Sequence, residues 1–393
     1  MKRLSLALLS LAVPLAATAC DTLFLTRPPL DLDEPPTGEG EGEGEGEGEG
    51  EGDVALCGGA TVSVSEPIAM ASPRTRHGAA LLVDGRVLLA GGHDNSYLAT
   101  ATTELFDPAT DSFAPSGSMA TPRQDFALVA LKDGRALAIG GFENSGGSVQ
   151  STEIWESGAW SPGPDLPEPR TNASALLADD GRVVIFGGQN NADSYPQRVL
   201  VFDPADDTLA ETTSDVSEAR GSHTAHALAD GRALMIGGYY TSALDDVDVI
   251  FADGRASRGP AIPGPRRSAC AANDDVGDAL VFGGYAGGAL GDVQRFDAVG
   301  NQWSAAPALP TARFACEAVT LSCAALVCGG VEVTSCDAFD FAAGAFVPSV
   351  ADVGTEFDFT MVGLGDGRVL VAGGVLGDEL ENVVGSARVL TLN

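Results

Sequence analysis

Lysine is nearly missing from this chain: 2 Lys against 20 Arg in 393 residues, and the 22 cations face 55 acids for a formal charge of −33. Such a balance excludes nucleic acid and anionic membrane surfaces as partners. Histidine is equally scarce, with only His77, His93, His223 and His226. His223 and His226 are three residues apart on a strand, face opposite sides and chelate poorly. No Ser-His-Asp order, P-loop or zinc spacing stands out, so no metal, cofactor or catalytic constellation is expected. After the first twenty residues no apolar run is long enough for a membrane helix. Helix-period patterns are few, whereas 50 Gly and 22 Pro point to many turns and an all-β fold.

The N-terminus carries a targeting segment, residues 1–19. Lys2 and Arg3 precede the apolar run LSLALLSLAVPLAA, and ATAC follows. Ala17 and Ala19 fit an ordinary signal-peptidase site, and Cys20 after small residues resembles a bacterial lipobox with Ala17 where Leu is more usual. Cysteine arithmetic favours the lipobox: of seven Cys, lipidating Cys20 leaves an even six for an oxidising compartment. Residues 20–56 then read as a lipid-anchor Cys and a spacer, Pro-rich first and GEGEGEGEGEGEGEG after, which buries nothing and is extended by its own charge. The expectation is an exported lipoprotein of the cell envelope, touching the membrane through its lipid only.

Residues 57–393 repeat. GG follows an apolar run at 91, 140, 187, 237, 283, 329 and 373, at intervals of 44 to 50 residues. Seventeen residues before GG stand Arg74, Arg123, Arg170, Arg220 and Arg266; in unit six Arg313 is sixteen back, and in unit seven the position holds Glu356. Asp-Gly turns between Arg and GG predict a hairpin with a two-residue type I′ turn. A third strand ends in an aromatic (LFDP, IWES, VFDP, RFDA, AFDF), and a fourth carries Phe113, Trp160, Trp303 or Phe346. Four short strands repeated seven times predict a seven-bladed β-propeller. The last unit stops at its third strand, so residues 60–70 are expected to supply the outer strand that closes the ring.

This pattern of Arg, apolar strand, GG, then aromatic and Asp-Pro resembles the kelch repeat and covers 57–393. Unit four departs from it, with FADG in place of FDP. The resemblance implies a binding module that uses the face where the arginines and the loops after GG converge. It also implies an alternative, the kelch-type sugar mutarotases or epimerases, in which Glu356 is the candidate for proton transfer on an acidic sugar. The copper radical oxidases share this fold, but their paired His and Tyr–Cys site is not visible here.

At that mouth lie Arg74, Arg76, Arg123, Arg170, Arg220, Arg266 and Arg313, with Arg267 adding to the series. All five tyrosines lie there too: Tyr97, Tyr195, Tyr239, Tyr240 and Tyr285. Arginine in so acidic a chain focuses positive potential, and Tyr and Asn supply adaptable recognition. The competing reading pairs each Arg with an acid of a neighbouring blade. The expected ligand is a protein, peptide or glycan bound by a monomeric, non-catalytic head. The six head cysteines, Cys57, Cys270, Cys316, Cys323, Cys328 and Cys336, are expected to be disulfides. A three-residue turn in LSCAAL would set Cys316 against Cys328.

Overall fold

The computed structural model describes residues 56–144, 146–191, 194–377 and 382–393. The targeting segment, Cys20 and the spacer up to residue 55 lie outside them. Among the described residues all regular structure is β, and among them no helix is long and apolar enough to cross a membrane. Seven antiparallel sheets follow one another as the blades of a propeller. Blade one is Gly78–Leu81, Val87–Ala90, Thr102–Asp107 and Ser112–Ser118. Blades two to six repeat the order, blade six with Glu317–Thr320, Ala324–Cys328, Ser335–Asp340 and Ala345–Asp352. Blade seven has Thr360–Gly363, Arg368–Ala372 and Ser386–Leu392. Val62–Val64 pairs with its last strand, Val62 opposite Leu392, and Ile68–Ala69 continues the pairing. The two ends of the head therefore close the ring as the sequence implies.

The second strand of each blade is buried on both faces, which explains unbroken apolar runs such as VLLA and VVIF where a one-sided strand would alternate. Each gap between adjacent blades holds its own apolar core. Leu137, Ile139, Val183 and Ile185 fill the gap between blades two and three. Leu370, Val389, Val87 and Phe106 fill the one where the ring closes. Aromatics of the third and fourth strands face each other, Phe106 opposite Phe113 and Phe296 opposite Trp303.

The Asp-Gly turns are not the expected two-residue type I′. Leu82 N–H donates to Arg86 O at 2.8 Å and Gly85 N–H to Leu82 O at 3.0 Å, and of Asp84 and Gly85 only Gly85 has positive φ. This is a three-residue loop, a type I turn followed by a left-handed glycine. Aspartate is there for its side chain: Asp84 accepts from Arg86 N–H at 3.1 Å and from its guanidinium at 2.9 Å.

The GG pair is explained by the next blade. A Cβ on Gly91 would collide with Arg123 O, and Gly92 N–H donates to that same carbonyl at 2.9 Å. Equivalent bonds run from Gly141, Gly238, Gly284, Gly330 and Gly374 to the next blade. The recurrent glycines thus let two backbones meet at a blade seam.

The disulfides join Cys57 to Cys323, Cys270 to Cys316 and Cys328 to Cys336. The Cys316–Cys328 pairing is thus corrected. Leu321 N–H bonds Ala324 O, so the turn has two residues, and Glu317 rather than Cys316 stands opposite Cys328. That one-residue difference in register sends Cys316 to blade five and leaves Cys328 opposite Cys336.

Candidate functional site

The six motif arginines begin their blades at the mouth, but their side chains run inward and are at most 1% exposed. Arg123 donates to Gly140 O (2.7 Å), Ser151 O (3.0 Å) and Glu153 Oε1 (2.6 Å). Arg74 pairs with Glu104 at 2.5 Å, Arg220 with Asp248 at 2.7 Å, Arg266 with Asp292 at 2.6 Å, and Arg313 with Asp337. Each acid lies in the same blade as its arginine, not in the neighbouring one. The guanidinium fork satisfies carbonyls at the GG kink and clamps the inner hairpin to the third strand. The expectation that these six arginines present charge to a ligand is therefore corrected: a fully buried guanidinium has no face left for one.

Arg170 is the exception. The third-strand position that holds Glu104, Glu153, Asp248 and Asp337 is Leu200 in blade three, and Arg170 bonds only carbonyls, Arg198 O at 2.7 Å and Gly187 O at 3.4 Å. Burial pushes its guanidinium down to about 10, against the partial support of Glu168 and Glu211. In blade seven the charges are exchanged, Glu356 for the arginine and Arg388 for the acid. They do not pair; Glu356 turns up to the mouth and accepts from Glu332 N–H and Gly377 N–H, both at 3.0 Å. It ties two mouth loops together.

Two residues after each motif position stands a left-handed residue: Arg76, Asp125, Asn172, Ser222, Ser268, Ala315 and Asp358, with φ between 52 and 56°. Backbone bonds link neighbours, as Asp125 N–H to Arg76 O at 3.1 Å and Ala315 N–H to Ser268 O at 2.8 Å. Arg76 belongs to this inner ring and pairs with Asp358 at 2.9 Å and Asp125 at 3.6 Å. Beside it, Glu317 on the first strand of blade six is pushed up to about 7, by burial first and then by the Asp358 charge. His77 and His223 sit one residue beyond the left-handed ring. Each bonds a hydroxyl of the preceding blade, Thr360 at 2.9 Å and Ser174 at 2.8 Å. Burial, then Arg74 or Arg220, holds both down to about 3, so they are neutral.

Above this ring, in six of the seven blades, the residue after the motif position and the residue after GG form a bridge: Thr75–His93, Gln124–Phe142, Thr171–Gln189, Gly221–Tyr239, Arg267–Tyr285 and Phe357–Val375. These side chains differ from blade to blade: Thr75, His93, Gln124, Thr171, Phe357 and Val375 are buried, whereas Phe142, Gln189, Tyr239, Arg267 and Tyr285 are partly exposed. The guanidinium carbon of Arg267 lies 5.1 Å from the ring centres of both Tyr239 and Tyr285, within cation–π range of each. A cleft of about 410 Å³ opens there, lined by Tyr239, Ser242, Pro265, Arg267, Tyr285 and Ala286. Tyr285 continues onto Phe314 at 5.0 Å. Tyr195 and Tyr240 meet edge to face at 5.7 Å across blades three and four. Tyr97 stands apart on blade one, 47% exposed and stacked 5.9 Å from His93. The loop amides lock loops together: Asn95 accepts from Val383 N–H at 2.7 Å, and Asn144 accepts from Ala99 N–H at 2.5 Å.

The five tyrosines therefore split into one cleft, one aromatic pair and one outlier. Arg267, secondary in the sequence pattern, becomes the central cation because its blade position faces the mouth where Arg266 faces inward. Glu317 carries no sequence signal, since its environment is set by the neighbouring blade.

A family model described as the KLHDC2/KLHL20/DRC7 Kelch-repeats domain matches residues 146–330. No curated protein matches the sequence. Among solved structures, a fungal alcohol oxidase with catalytic diversity among the AA5 family, in complex with copper, superposes with a TM-score of 0.65 over 84% of this chain and 76% of its own, at 14% identity. That likeness is one of fold. Among the described residues no three His, Cys, Asp or Glu side chains gather where they could hold a metal, and all six head cysteines are in disulfides, so the residues here do not fit a copper centre.

Proposed function

We propose, from the premise that the chain is a kelch-repeat β-propeller, that it is an interaction module whose cleft between blades four and five takes a carboxylate-bearing group of a protein, peptide or glycan. The observation that carries this reading is Arg267 held between Tyr239 and Tyr285. Both rings lie within cation–π range of this guanidinium, and a guanidinium is the side chain that matches a carboxylate with two parallel hydrogen bonds. In a chain of net charge −33 such a cation stands out against the surrounding potential. The cleft walls add apolar area and tyrosine hydroxyls, the composition of an adaptable recognition surface.

The experiment is a thermal-shift and calorimetric screen of the full chain against acidic sugars, acidic peptides and neutral counterparts. Binding by a carboxylate compound, weakened at least about tenfold in Arg267→Ala and by added salt, supports the reading. Binding unchanged in Arg267→Ala refutes it. Glu317, held near neutrality, keeps a second reading in play, turnover of an acidic sugar with proton transfer inside the mouth. Glu356 is the other candidate there, with its carboxylate already engaged by two backbone N–H groups. The three disulfides are consistent with export, and tethering through Cys20 belongs to the same proposal.

A further inference from the structure

Six of the seven blade seams share one backbone bond, from the second glycine of GG to the carbonyl of the next motif residue. The seam between blades three and four does not: among the described residues Gly188 N–H has no such bond to Arg220 O. The inner-ring bond is missing there as well, for Ser222 N–H does not reach Asn172 O. Ala315 and Asp358 also lack the inner bond, but their seam keeps the outer one, from Gly330 to Glu356. The displacement is visible from the other side too. At the other six seams a Cβ on the first glycine would strike the next motif carbonyl, whereas on Gly187 it would strike the His223 ring. Arg220, alone among the six motif arginines, does not bond the carbonyl of its own first glycine and reaches Met235 O at 3.1 Å instead.

Side chains hold this seam. His223 bonds Ser174 at 2.8 Å and lies 6.2 Å from Phe186, ring to ring. Tyr195, from the blade-three loop, lies over Gly221, its ring 2.9 Å from where a Cβ would stand. The positions equivalent to Gly221 hold Thr75, Gln124, Thr171, Arg267, Phe314 and Phe357, so glycine here makes room for the tyrosine. Tyr240 of blade four then packs against the edge of Tyr195.

We propose that the ring opens locally at the seam between blades three and four, with Tyr195 as the latch that holds it shut. A seam without its two backbone bonds is held by contacts of lower directionality, and local openings start where such bonds are fewest. The opening reaches the mouth, because Gly221 exchanges hydrogen bonds of 3.1 and 2.8 Å with Tyr239, one wall of the cleft. The proposal stands apart from the ligand reading, since it is tested without ligand.

The test is amide hydrogen exchange of the full chain with its disulfides intact, read at amides that do have acceptors. Gln189 and Tyr239 should exchange at least about tenfold faster than their equivalents His93, Phe142, Tyr285 and Val375, and Gly221 faster than Thr75, Gln124 and Arg267 by the same factor. Tyr195→Ala, or Gly221→Thr, which expels the ring, should speed exchange further at this seam alone. Equal protection at all seven seams overturns the proposal, as does a Tyr195→Ala variant whose seam exchanges as before. If the substituted chains do not fold, the comparison of the seven seams in the native chain decides by itself.

Discussion

Replacing the motif arginines with methionine separates a charge clamp from simple filling of space. Methionine keeps an unbranched stem and removes the guanidinium, so the cavity contribution is small. In Arg123→Met the carboxylate of Glu153 loses its 2.6 Å partner and stays buried at 4% exposure, still accepting from Ala120 N–H at 2.6 Å and Thr121 N–H at 3.0 Å. Breaking one side of a buried pair costs about 3–5 kcal/mol. Arg170→Met removes a buried cation that has no carboxylate, and its losses are two carbonyl bonds of 2.7 and 3.4 Å. Two such bonds, offset by relief of the desolvated charge, leave a net cost of about 0–2 kcal/mol. The double variant Arg123→Met/Glu153→Gln should recover part of the loss, since the amide oxygen still accepts one of the two N–H groups. Urea unfolding of the oxidised chains, with midpoints and slopes compared, reads these differences directly. Equal costs for Arg123→Met and Arg170→Met would show that the ion pair is not what holds the inner hairpin to the third strand.

Two further predictions come from the same geometry. Leu200→Glu places a carboxylate beside Arg170 where the other blades have one; it should fold with a small change in unfolding midpoint, whereas Leu137→Glu, which meets no cation, should not accumulate as folded protein. His77 titrates at about 3 when folded and near 6.5 when unfolded, so the stability it contributes is complete above pH 6.5 and is lost as pH falls towards 3, about 2 kcal/mol by pH 5. His77→Phe, the residue already present at equivalent positions 126 and 359, should flatten that acid limb. Glu317, raised to about 7, acts in the opposite sense: stability is present below its unfolded value of 4.5 and lost as pH rises through 7, and Glu317→Gln should remove that loss. Denaturation midpoints measured from pH 4 to pH 9 check both signs.

The architecture was legible because it repeats. One GG says little, but seven in register require seven units that bury one another's faces, and a missing fourth strand at one end with a spare one at the other requires closure. That the six head cysteines form disulfides was legible from their even number, but their pairing was not, because a turn of two residues instead of three changes which cysteine faces which, and residue types alone do not fix that count. The motif arginines misled for a related reason. Spacing places all six at the start of a first strand, but whether a long side chain turns to solvent or inward depends on acids that lie 24 to 30 residues downstream in most blades, on another strand.

Sequence by itself therefore determined the number of blades, their strand order, the face on which the variable loops gather and the way the ring closes, since these follow from periodicity and from the need to bury both sides of every sheet. Only the tertiary structure decided which charges reach the mouth. Arg266 and Arg267 are adjacent and chemically identical, yet one is an internal clamp and the other stands between two tyrosines, because consecutive residues of an extended chain point opposite ways and the neighbouring blade supplies the second tyrosine. The weak seam is of the same kind: it depends on a tyrosine from one blade meeting a glycine of the next, a contact between residues 26 apart that no local pattern contains.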